Sequence, residues 1–232
     1  MLSALEGVGS LAVDAEGCSL SRRGKLCLLQ ICAPGSGVWL VDVTTLGKEA
    51  FTFSVKGSAG KPLTTAGILE ERSITKLMYD ARQDSEALWH QHSVFPRGVY
   101  DLQLAVVAAL RANGTSVSHV IGLRKALDLY VSDPESPGIE ASRMAHMSIK
   151  SQFDTDPELW DKRPLSSSLQ DYAATDVQYM HLLRDKLTAC LPADTRADWV
   201  RRIKSASAAR VAECKRVKPP RQGRHRAYAP KF

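Results

Sequence analysis

The 232-residue sequence lacks the features that mark membrane-spanning, secreted and zinc-binding proteins. It contains no run of about 18 apolar residues, so no membrane-spanning helix is expected. Residues 1–13 have neither a basic start nor a sustained apolar stretch, so no secretory signal is expected. The five cysteines are odd in number and form no Cys-x-x-Cys pair, which argues against a disulfide framework and a zinc site. These absences predict an intracellular protein, in the nucleus or the cytoplasm, that is not secreted.

Basic charge is concentrated at the C-terminal end of the chain. Residues 201–232 contain eleven Lys and Arg and one acid, a balance of +10, whereas residues 1–200 carry a balance of −4. A basic tail on an acidic body is a common way to hold a polyanion near a metal-dependent site, although a solubilising tail or a nuclear-import signal has the same composition. We therefore predict one domain over residues 1–200 and a basic helix with a disordered tail over residues 201–232.

Apolar runs and turn residues predict an α/β fold. Three strands joined by short turns, expected at residues 10–16, 26–32 and 38–43, predict an antiparallel meander at the start of the sheet. Residues 44–65 have no clear pattern and are left unassigned. Further strands are expected at residues 74–79 and 98–101, and helices at 82–92, 102–112, 123–130 and 167–190, with a last helix after Pro192. A meander followed by alternating helix and strand predicts a mixed sheet flanked by helices.

The first stretch that suggests chemistry is Leu-Ala-Val-Asp-Ala-Glu-Gly at residues 11–17. Side chains alternate across a strand, so Asp14 and Glu16 are expected to point the same way. Two carboxylates on one face destabilise a strand unless positive charge lies between them. An edge strand with two solvated acids would show the same pattern, so this stretch alone leaves both interpretations open.

Two further acidic stretches follow. Asp80 is a favoured N-cap residue, which places Asp84 in the first helical turn, where the helix dipole tolerates a carboxylate. Tyr172 and Asp176 are four residues apart on a predicted helix and therefore share a face. Taken singly, a solvated acid and a packed tyrosine beside a surface aspartate would explain these two patterns.

Taken together, the three stretches predict a metal site. Four carboxylates gathered in one place repel one another strongly, and binding to hard cations resolves this repulsion. Ligands that are all oxygen atoms favour Mg²⁺ or Mn²⁺. Two such ions about 4 Å apart can stabilise both the attacking and the leaving oxygen of a phosphodiester displacement.

The order of these residues along the chain resembles the DEDDy 3′–5′ exonucleases. This is the group of ribonuclease D and the Werner-syndrome exonuclease domain, and it has a ribonuclease H-like fold. The resemblance covers about residues 8–190, and its most specific part is Arg-Pro-Leu followed by Tyr-Ala-Ala-x-Asp-Val. The matching segments are Val13-Asp14-Ala15-Glu16, Lys76-Leu77-Met78-Tyr79-Asp80-Ala81-Arg82-Gln83-Asp84, and Trp160-Asp161-Lys162-Arg163-Pro164-Leu165 through Tyr172-Ala173-Ala174-Thr175-Asp176-Val177.

The resemblance implies a role for each acidic residue. Asp14 would bridge two Mg²⁺ or Mn²⁺ ions, Glu16 and Asp176 would complete the site that holds the nucleophilic water, and Asp84 would hold the second ion. Tyr172 would orient the attacking water. The reaction would release 5′-mononucleotides one at a time from the 3′ end of RNA or DNA. The sequence departs from the family at Tyr79, where His is frequent, and after Asp101, where Thr is usual. Neither position is an expected metal ligand, so these departures concern substrate fit and not the chemistry.

Two residues outside the acidic set are candidate nucleic-acid contacts. Gln30 lies in the second strand and either faces the substrate groove or is a hydrogen-bonded core amide. Arg163 either contacts phosphate or forms an ion pair that fixes its loop. The alternative function for the whole chain is a catalytically silent nucleic-acid-binding or scaffold protein with the same fold, and a second alternative is a phosphodiesterase acting on a small nucleotide.

Overall fold

The computed structural model describes residues 1–58, 60–131, 144, 149, 152, 155–218 and 223–231. Within these ranges the strands are β1 (Ser10–Cys18), β2 (Lys25–Cys32), β3 (Val38–Asp42), β4 (Ser54–Lys56), β5 (Pro62–Thr64), β6 (Thr75–Met78) and β7 (Val99–Asp101). The α-helices are α1 (Val43–Leu46), α2 (Glu49–Thr52), α3 (Thr65–Glu70), α4 (Arg82–His92), α5 (Leu102–Ala112), α6 (Leu123–Tyr130), α7 (Ser167–Gln178), α8 (Met180–Ala189) and α9 (Arg196–Ala212). None of the helices in the described ranges is both long and apolar enough to cross a membrane.

The main sheet has the strand order β3-β2-β1-β6-β7. Strands β1, β2 and β3 form an antiparallel meander, whereas β6 is parallel to both β1 and β7. Residues 26–32 of β2 are all buried, as expected for a strand with packing on both of its faces. The mixed sheet flanked by helices confirms the fold class predicted from the sequence.

Alternation along β1 decides which side of the sheet carries the acids. Leu11, Val13 and Ala15 pack into one hydrophobic core together with α4. Ala12 packs into a second core, with α5, α6 and α8, on the opposite face. Because Asp14 and Glu16 continue the alternation from Ala12, they lie on the side of the sheet that faces away from the first core.

The structure differs from the predicted elements in two places. The helix expected over residues 167–190 is divided at Tyr179, which ends α7 and precedes α8 with a backbone conformation of φ −100° and ψ 1°. The unassigned residues 44–65 contain α1, α2 and a two-stranded sheet formed by β4 and β5. This small sheet packs against a 3₁₀ turn at Leu2–Leu5.

The C-terminal segment forms contacts that the sequence did not indicate. Helix α9 continues through residue 200, and its Ile203 and Val211 are buried. The predicted disordered tail falls partly on residues 219–222 and 232, which lie outside the described residues. Residues 226–231 instead pack against residues 117–121: Ala227 O accepts a hydrogen bond from Val120 N at 2.8 Å, and Ala229 N donates one to Ser118 O at 2.9 Å. Backbone hydrogen bonds of this kind hold the segment on the domain.

Candidate metal centre

Asp14, Glu16 and Asp176 meet at the end of the parallel part of the sheet. Ala12 of β1 pairs with Leu77 of β6. Asp14 is the next residue of β1 on the same face as Ala12, so it lies where β6 ends. Helix α7 packs across β1, β2 and β3 and carries Asp176 to the same place. One carboxylate oxygen from each of the three residues lies within 4.8 Å of the other two. Packing of α7 on the sheet thus brings together acids from opposite ends of the domain sequence.

Asp84 approaches this cluster from the first turn of α4. Its side chain is buried. The charge of Asp84 helps to raise the pKa of Glu16, and the charge of Asp14 helps to raise the pKa of Asp84. It stands outside the group of three whose oxygens lie within 4.8 Å of one another. The four predicted acidic ligands therefore form a compact trio and a fourth, more separated carboxylate.

The acidic residues have strongly perturbed protonation. Burial raises the pKa of Asp14 from 3.8 to about 7, against a smaller lowering by the backbone N–H of Ala15. Burial also raises the pKa values of Glu16, Asp84 and Asp176 well above those of ordinary carboxylates. The charges that raise them further all come from carboxylates, with Asp14 common to the three. Full ionisation of the four carboxyl groups is therefore unfavourable by itself, and a bound cation would favour it.

Tyr172 lies one turn before Asp176 on α7, at the edge of the cluster. Its ring packs at 5.9 Å from the ring of Trp160, with an angle of 52° between the planes. Burial, followed by the charges of Asp176, Glu16 and Asp14, raises the pKa of its hydroxyl above the ordinary value. The hydroxyl therefore keeps its proton over the physiological pH range and can act as a hydrogen-bond donor towards the acidic cluster.

Gln30 is directly opposite Asp14 in the antiparallel pair of β1 and β2. Its side chain is fully buried, and among the residues that the structure describes neither its Nε2 nor its Oε1 has a hydrogen-bond partner. The core-amide interpretation lacks its hydrogen bond among the described residues, and the pairing with Asp14 puts Gln30 on the face of the sheet that carries the acids, so its contact with a substrate stays a prediction. A buried amide without partners is costly, so a ligand of the acidic cluster is a candidate to satisfy it.

Arg163 uses all of its hydrogen-bond donors within the protein. Its Nε and Nη2 donate to the two carboxylate oxygens of Asp42 at 2.7 and 2.5 Å. Nη1 donates to Trp160 O and Lys162 O, and Nη2 donates to Cys27 O at 3.1 Å. A guanidinium has five N–H groups, so these five bonds leave no donor for a phosphate. The geometry corresponds to the ion pair that fixes the loop before α7, and not to the phosphate contact.

The turn that precedes Asp84 is held by residues that the sequence did not identify. Asp80 has a left-handed backbone conformation, with φ of 59°, and the N-cap of α4 is Ala81, not Asp80 as predicted. The fully buried carboxylate of Asp101 accepts hydrogen bonds from the backbone N–H of Asp80 at 3.0 Å and of Ala81 at 3.2 Å. It also accepts one from Gln103 N at 3.0 Å, so that a single carboxylate caps α5 and holds the turn before α4.

Helix α9 supplies the charge that balances Asp101. Arg210 Nη1 donates to Asp101 Oδ2 at 2.7 Å and lies 3.7 Å from Asp80 Oδ1. Ser207 Oγ accepts a hydrogen bond from the backbone N–H of Asp101 at 2.9 Å. An acid at the start of an apolar helix is a visible sequence signal for a cap, but nothing in the sequence pairs Asp101 with Arg210, which is 109 residues away.

The donor set fits divalent cations that prefer oxygen ligands. Two oxygen ligands of one octahedral Mg²⁺, at about 2.1 Å each, lie about 3 Å apart when adjacent and about 4 Å apart when opposite. The three oxygens within 4.8 Å of one another require only a small contraction to reach these separations. Soft ligands are not part of the trio, which excludes the thiolate-rich sites that zinc prefers. Asp14, Glu16 and Asp176 are thus suited to hold one such cation together.

Comparison with known proteins agrees with this geometry. The family model described as 3′-5′ exonuclease matches residues 1–192. The mouse piRNA biogenesis protein EXD1 is 31% identical over 178 residues, covering 75% of this chain and 28% of that protein. Ribonuclease D of Nitrobacter hamburgensis is 26% identical over 175 residues, covering 75% of this chain and 37% of the relative.

Solved structures give the same result at the level of the fold. The complex of Trypanosoma brucei RNase D with GMP superposes with a TM-score of 0.73 at 28% identity, covering 96% of this chain and 62% of that one. The complex of the same enzyme with RNA U12 has a TM-score of 0.71. The chain spans about a third of the length of these curated relatives. Because the family model matches most of its residues, the chain belongs to the 3′–5′ exonuclease family.

Proposed function

We propose that the chain is a metal-dependent exonuclease that hydrolyses phosphodiester bonds at the 3′ end of RNA or DNA and releases 5′-mononucleotides. The observation that supports this most directly is the trio of carboxylate oxygens from Asp14, Glu16 and Asp176 within 4.8 Å, with Asp84 electrostatically coupled to it. A protein that only bound nucleic acid would gain nothing from such mutual repulsion, because each carboxylate also repels phosphate.

Asp14, Glu16, Asp84 and Asp176 would hold two Mg²⁺ or Mn²⁺ ions. When bound, such ions lower the pKa of a coordinated water and offset the charge that develops on the phosphate and leaving oxygens. The protein contributes rigid positions for the four carboxylates. Strand pairing positions Asp14 and Glu16, packing of α7 positions Asp176, and the turn hydrogen-bonded to Asp101 before α4 positions Asp84.

Tyr172 is the residue that we assign to the attacking water. Its protonated hydroxyl lies on the same helix face as Asp176, one turn away. A hydrogen bond from this hydroxyl would fix the orientation of the water while a carboxylate accepts the proton from it. Such positioning accounts for a rate effect of about 10²- to 10⁴-fold in other enzymes that use a positioned acid or base.

We also propose that Gln30 becomes hydrogen-bonded when the metal centre is loaded. Its amide is fully buried beside Asp14 and has no partner among the described residues. A water or substrate oxygen held at the acidic cluster would remove the cost of that buried amide. Arg163, whose donors are all used within the protein, is proposed to position α7 and with it Asp176 and Tyr172.

The decisive experiment is hydrolysis of 5′-labelled single-stranded RNA and DNA by the full chain in Mg²⁺ or Mn²⁺. We expect a ladder that shortens from the 3′ end and a product that chromatography identifies as a 5′-mononucleotide. Chelation by EDTA and the variant Asp14→Asn should each abolish the ladder. Asp128→Asn, which removes an exposed carboxylate from α6, is the matched control and should keep the wild-type rate.

A blocked 3′ end separates exonuclease from other activities. A 3′-phosphate or an inverted 3′ nucleotide should stop the reaction, whereas a blocked 5′ end should not. Binding of the oligonucleotide without shortening in either metal would support the catalytically silent alternative and contradict the proposal. Hydrolysis of a cyclic or free nucleotide without shortening of the polymer would instead favour a small-nucleotide phosphodiesterase.

A further inference from the structure

A cavity of about 530 Å³ lies between α9 and the C-terminal segment, apart from the acidic cluster. We call it the tail cavity. Five cationic side chains line it, together with the exposed ring of Tyr228. The cations are Arg82, Arg201, Arg202, Arg210 and Lys231. Glu213 is the acidic residue of the described wall. A concave surface lined mainly by one sign of charge concentrates ligands of the opposite sign.

The C-terminal segment is held in place to form one wall of the tail cavity. The ring of Tyr228 packs against the ring of His119, with centroids 4.8 Å apart and planes tilted by 35°, and the two residues pair in an antiparallel bridge. Arg111 Nη1 donates a hydrogen bond of 2.6 Å to Pro230 O. Arg82 Nη2 donates one of 3.1 Å to Arg226 O. These contacts place Lys231 opposite α9, so the cavity requires a segment that the sequence predicted to be disordered.

Four of the five cations form two pairs, and the fifth, Lys231, is exposed on the C-terminal segment. Arg82 and Arg210 are largely buried and are paired with Asp80 and Asp101, so they form a neutralised floor. Arg201 and Arg202 are more exposed, with side-chain exposures of 75% and 47%, and both pair with the single carboxylate of Asp198. A carboxylate shared by two guanidinium groups leaves donors on each, and exposed pairs of this kind are weak enough for a ligand to compete.

The chemistry of the wall fits a nucleic-acid strand. Guanidinium and ammonium groups bind phosphate oxygens, and the face of an exposed tyrosine is a platform for an unpaired base. The volume is sufficient for one nucleotide unit with its phosphate. Arg82 opens α4 two residues before Asp84, so the cavity adjoins the turn that carries a proposed metal ligand without being part of the metal centre.

We propose that the tail cavity binds a phosphate of the nucleic-acid strand whose 3′ end is held at the metal centre. The inference rests on the proposed function, because it places the internal part of the same substrate. It predicts that affinity depends on strand length beyond the last few nucleotides, and that Arg201, Arg202 and Lys231 carry this dependence.

The test is equilibrium binding of 5′-fluorescein oligouridine with an inverted 3′ nucleotide by the full chain in Mg²⁺, where the ions are present and the blocked end prevents hydrolysis. Probes of three nucleotides and of about sixteen nucleotides are compared from about 50 to about 200 mM salt, which covers the range where phosphate contacts dominate. The cavity variant is Arg201→Gln/Arg202→Gln/Lys231→Gln. The control variant, Lys48→Gln/Lys56→Gln/Lys61→Gln, removes three exposed lysines near β4 and β5 and the same formal charge.

For the longer probe, the cavity variant should raise Kd at least tenfold and reduce the slope of log K against log salt by about 0.7. This value corresponds to the loss of one phosphate contact on a single strand. The control variant should keep the wild-type slope. Arg201→Lys/Arg202→Lys should recover much of the slope, which a variant that fails to fold would not do.

Three outcomes would overturn the inference. Equal changes of slope in the cavity and control variants would show that net charge, not the cavity, governs binding. Full competition by uridine 5′-monophosphate or inorganic phosphate at the cavity, with no gain from strand length, would make it a site for free phosphate. Absence of any binding of the longer probe to the wild-type protein would also contradict the proposal that the tail cavity binds the strand. The hydrolysis assay with wild-type protein is independent of these results, so failure of the cavity and failure of the exonuclease activity are separately visible.

Discussion

Replacing Asp14 by asparagine should stabilise the metal-free protein, and the gain should increase with pH. Burial raises the pKa of Asp14 from 3.8 to about 7. A raised carboxylate pKa means that the folded state favours the protonated form. The resulting stabilisation is fully present below the unfolded pKa and is lost as the pH rises through the folded pKa. Wild-type protein without metal should therefore lose stability between about pH 4 and about pH 7.

The size of the effect follows from the shift. About three pKa units at about 1.4 kcal/mol each give roughly 4 kcal/mol as the cost of ionising Asp14 in the folded state at pH 8. Because Asp14 keeps part of its solvent exposure, this value is an upper bound. The substituted amide has no proton to lose, and the substitution also removes the charge that acts on Glu16, Asp84 and Asp176. The variant should thus exceed wild type by about 1 kcal/mol near pH 5 and by about 2–4 kcal/mol near pH 8.

Urea unfolding in EDTA at about pH 5 and about pH 8 measures this difference. Asp128→Asn is the control, because Asp128 is exposed and paired with Arg124 on α6, where a surface pair contributes less than about 1 kcal/mol. A gap between Asp14→Asn and wild type that is the same at both pH values would refute the reasoning, since Asp14 would then ionise without cost.

Divalent cations should reverse the order of stability at pH 8. A cation that binds only the folded wild type stabilises it by about 4.1 kcal/mol at a concentration of 1,000 times Kd, which exceeds the expected advantage of the variant at pH 8. Asp14→Asn lacks the ligand that the proposed ions share, so its gain in Mn²⁺ should be much smaller. Equal stabilisation of the two proteins by Mn²⁺ would show that the ion binds elsewhere.

Three further substitutions test residues around the cluster. Tyr172→Phe keeps the ring packing on Trp160, so it should lower the single-turnover rate about 10²-fold or more with little change in the free energy of unfolding. An undiminished rate would exclude a role for the hydroxyl. Gln30→Met removes a buried amide without a described partner and should stabilise the metal-free protein by about 1 kcal/mol in urea, whereas a loss would reveal a hydrogen bond. Arg163→Lys cannot reproduce the paired hydrogen bonds to Asp42, so it should lower the free energy of unfolding by about 1–3 kcal/mol and reduce the rate of hydrolysis. An unchanged stability together with an unchanged rate would contradict the positioning role of Arg163.

Much of the fold was predictable because its elements are long and strongly patterned. The apolar run of β2 and the helical periodicity of α4, α5 and α6 each decide one element locally, and the structure agrees with them. The break at Tyr179 was not predictable, because both flanking segments have helical patterns and the division depends on how α7 packs over the sheet. The secondary structure of residues 44–65 was not predictable for a different reason. Their helices and strands have only three to six residues, which is too short to show a periodic pattern.

The candidate site was predictable only in its local part. Spacing alone places Asp14 with Glu16 and Tyr172 with Asp176, since each pair lies on one strand or one helix. Bringing the two pairs to one centre required the packing of α7, which no local pattern contains. The role of Arg163 was not predictable either, because its ion-pair partner Asp42 is 121 positions away in the sequence.

Helix α9 explains why the domain should not be divided at residue 200. The backbone turn before Asp84 depends on the carboxylate of Asp101, and that buried carboxylate depends on Arg210 for its counter-charge and on Ser207 for its backbone hydrogen bond. A buried carboxylate that loses its charged partner costs about 3–5 kcal/mol, a large fraction of the stability of an ordinary domain. The contacts continue beyond the helix, since Glu86 on α4 pairs with Arg22, whose guanidinium also donates to backbone carbonyls at 214–217. We therefore propose that the catalytic domain extends through this helix, so that the basic C-terminal residues support the turn that carries Asp84 as well as forming the wall of the tail cavity.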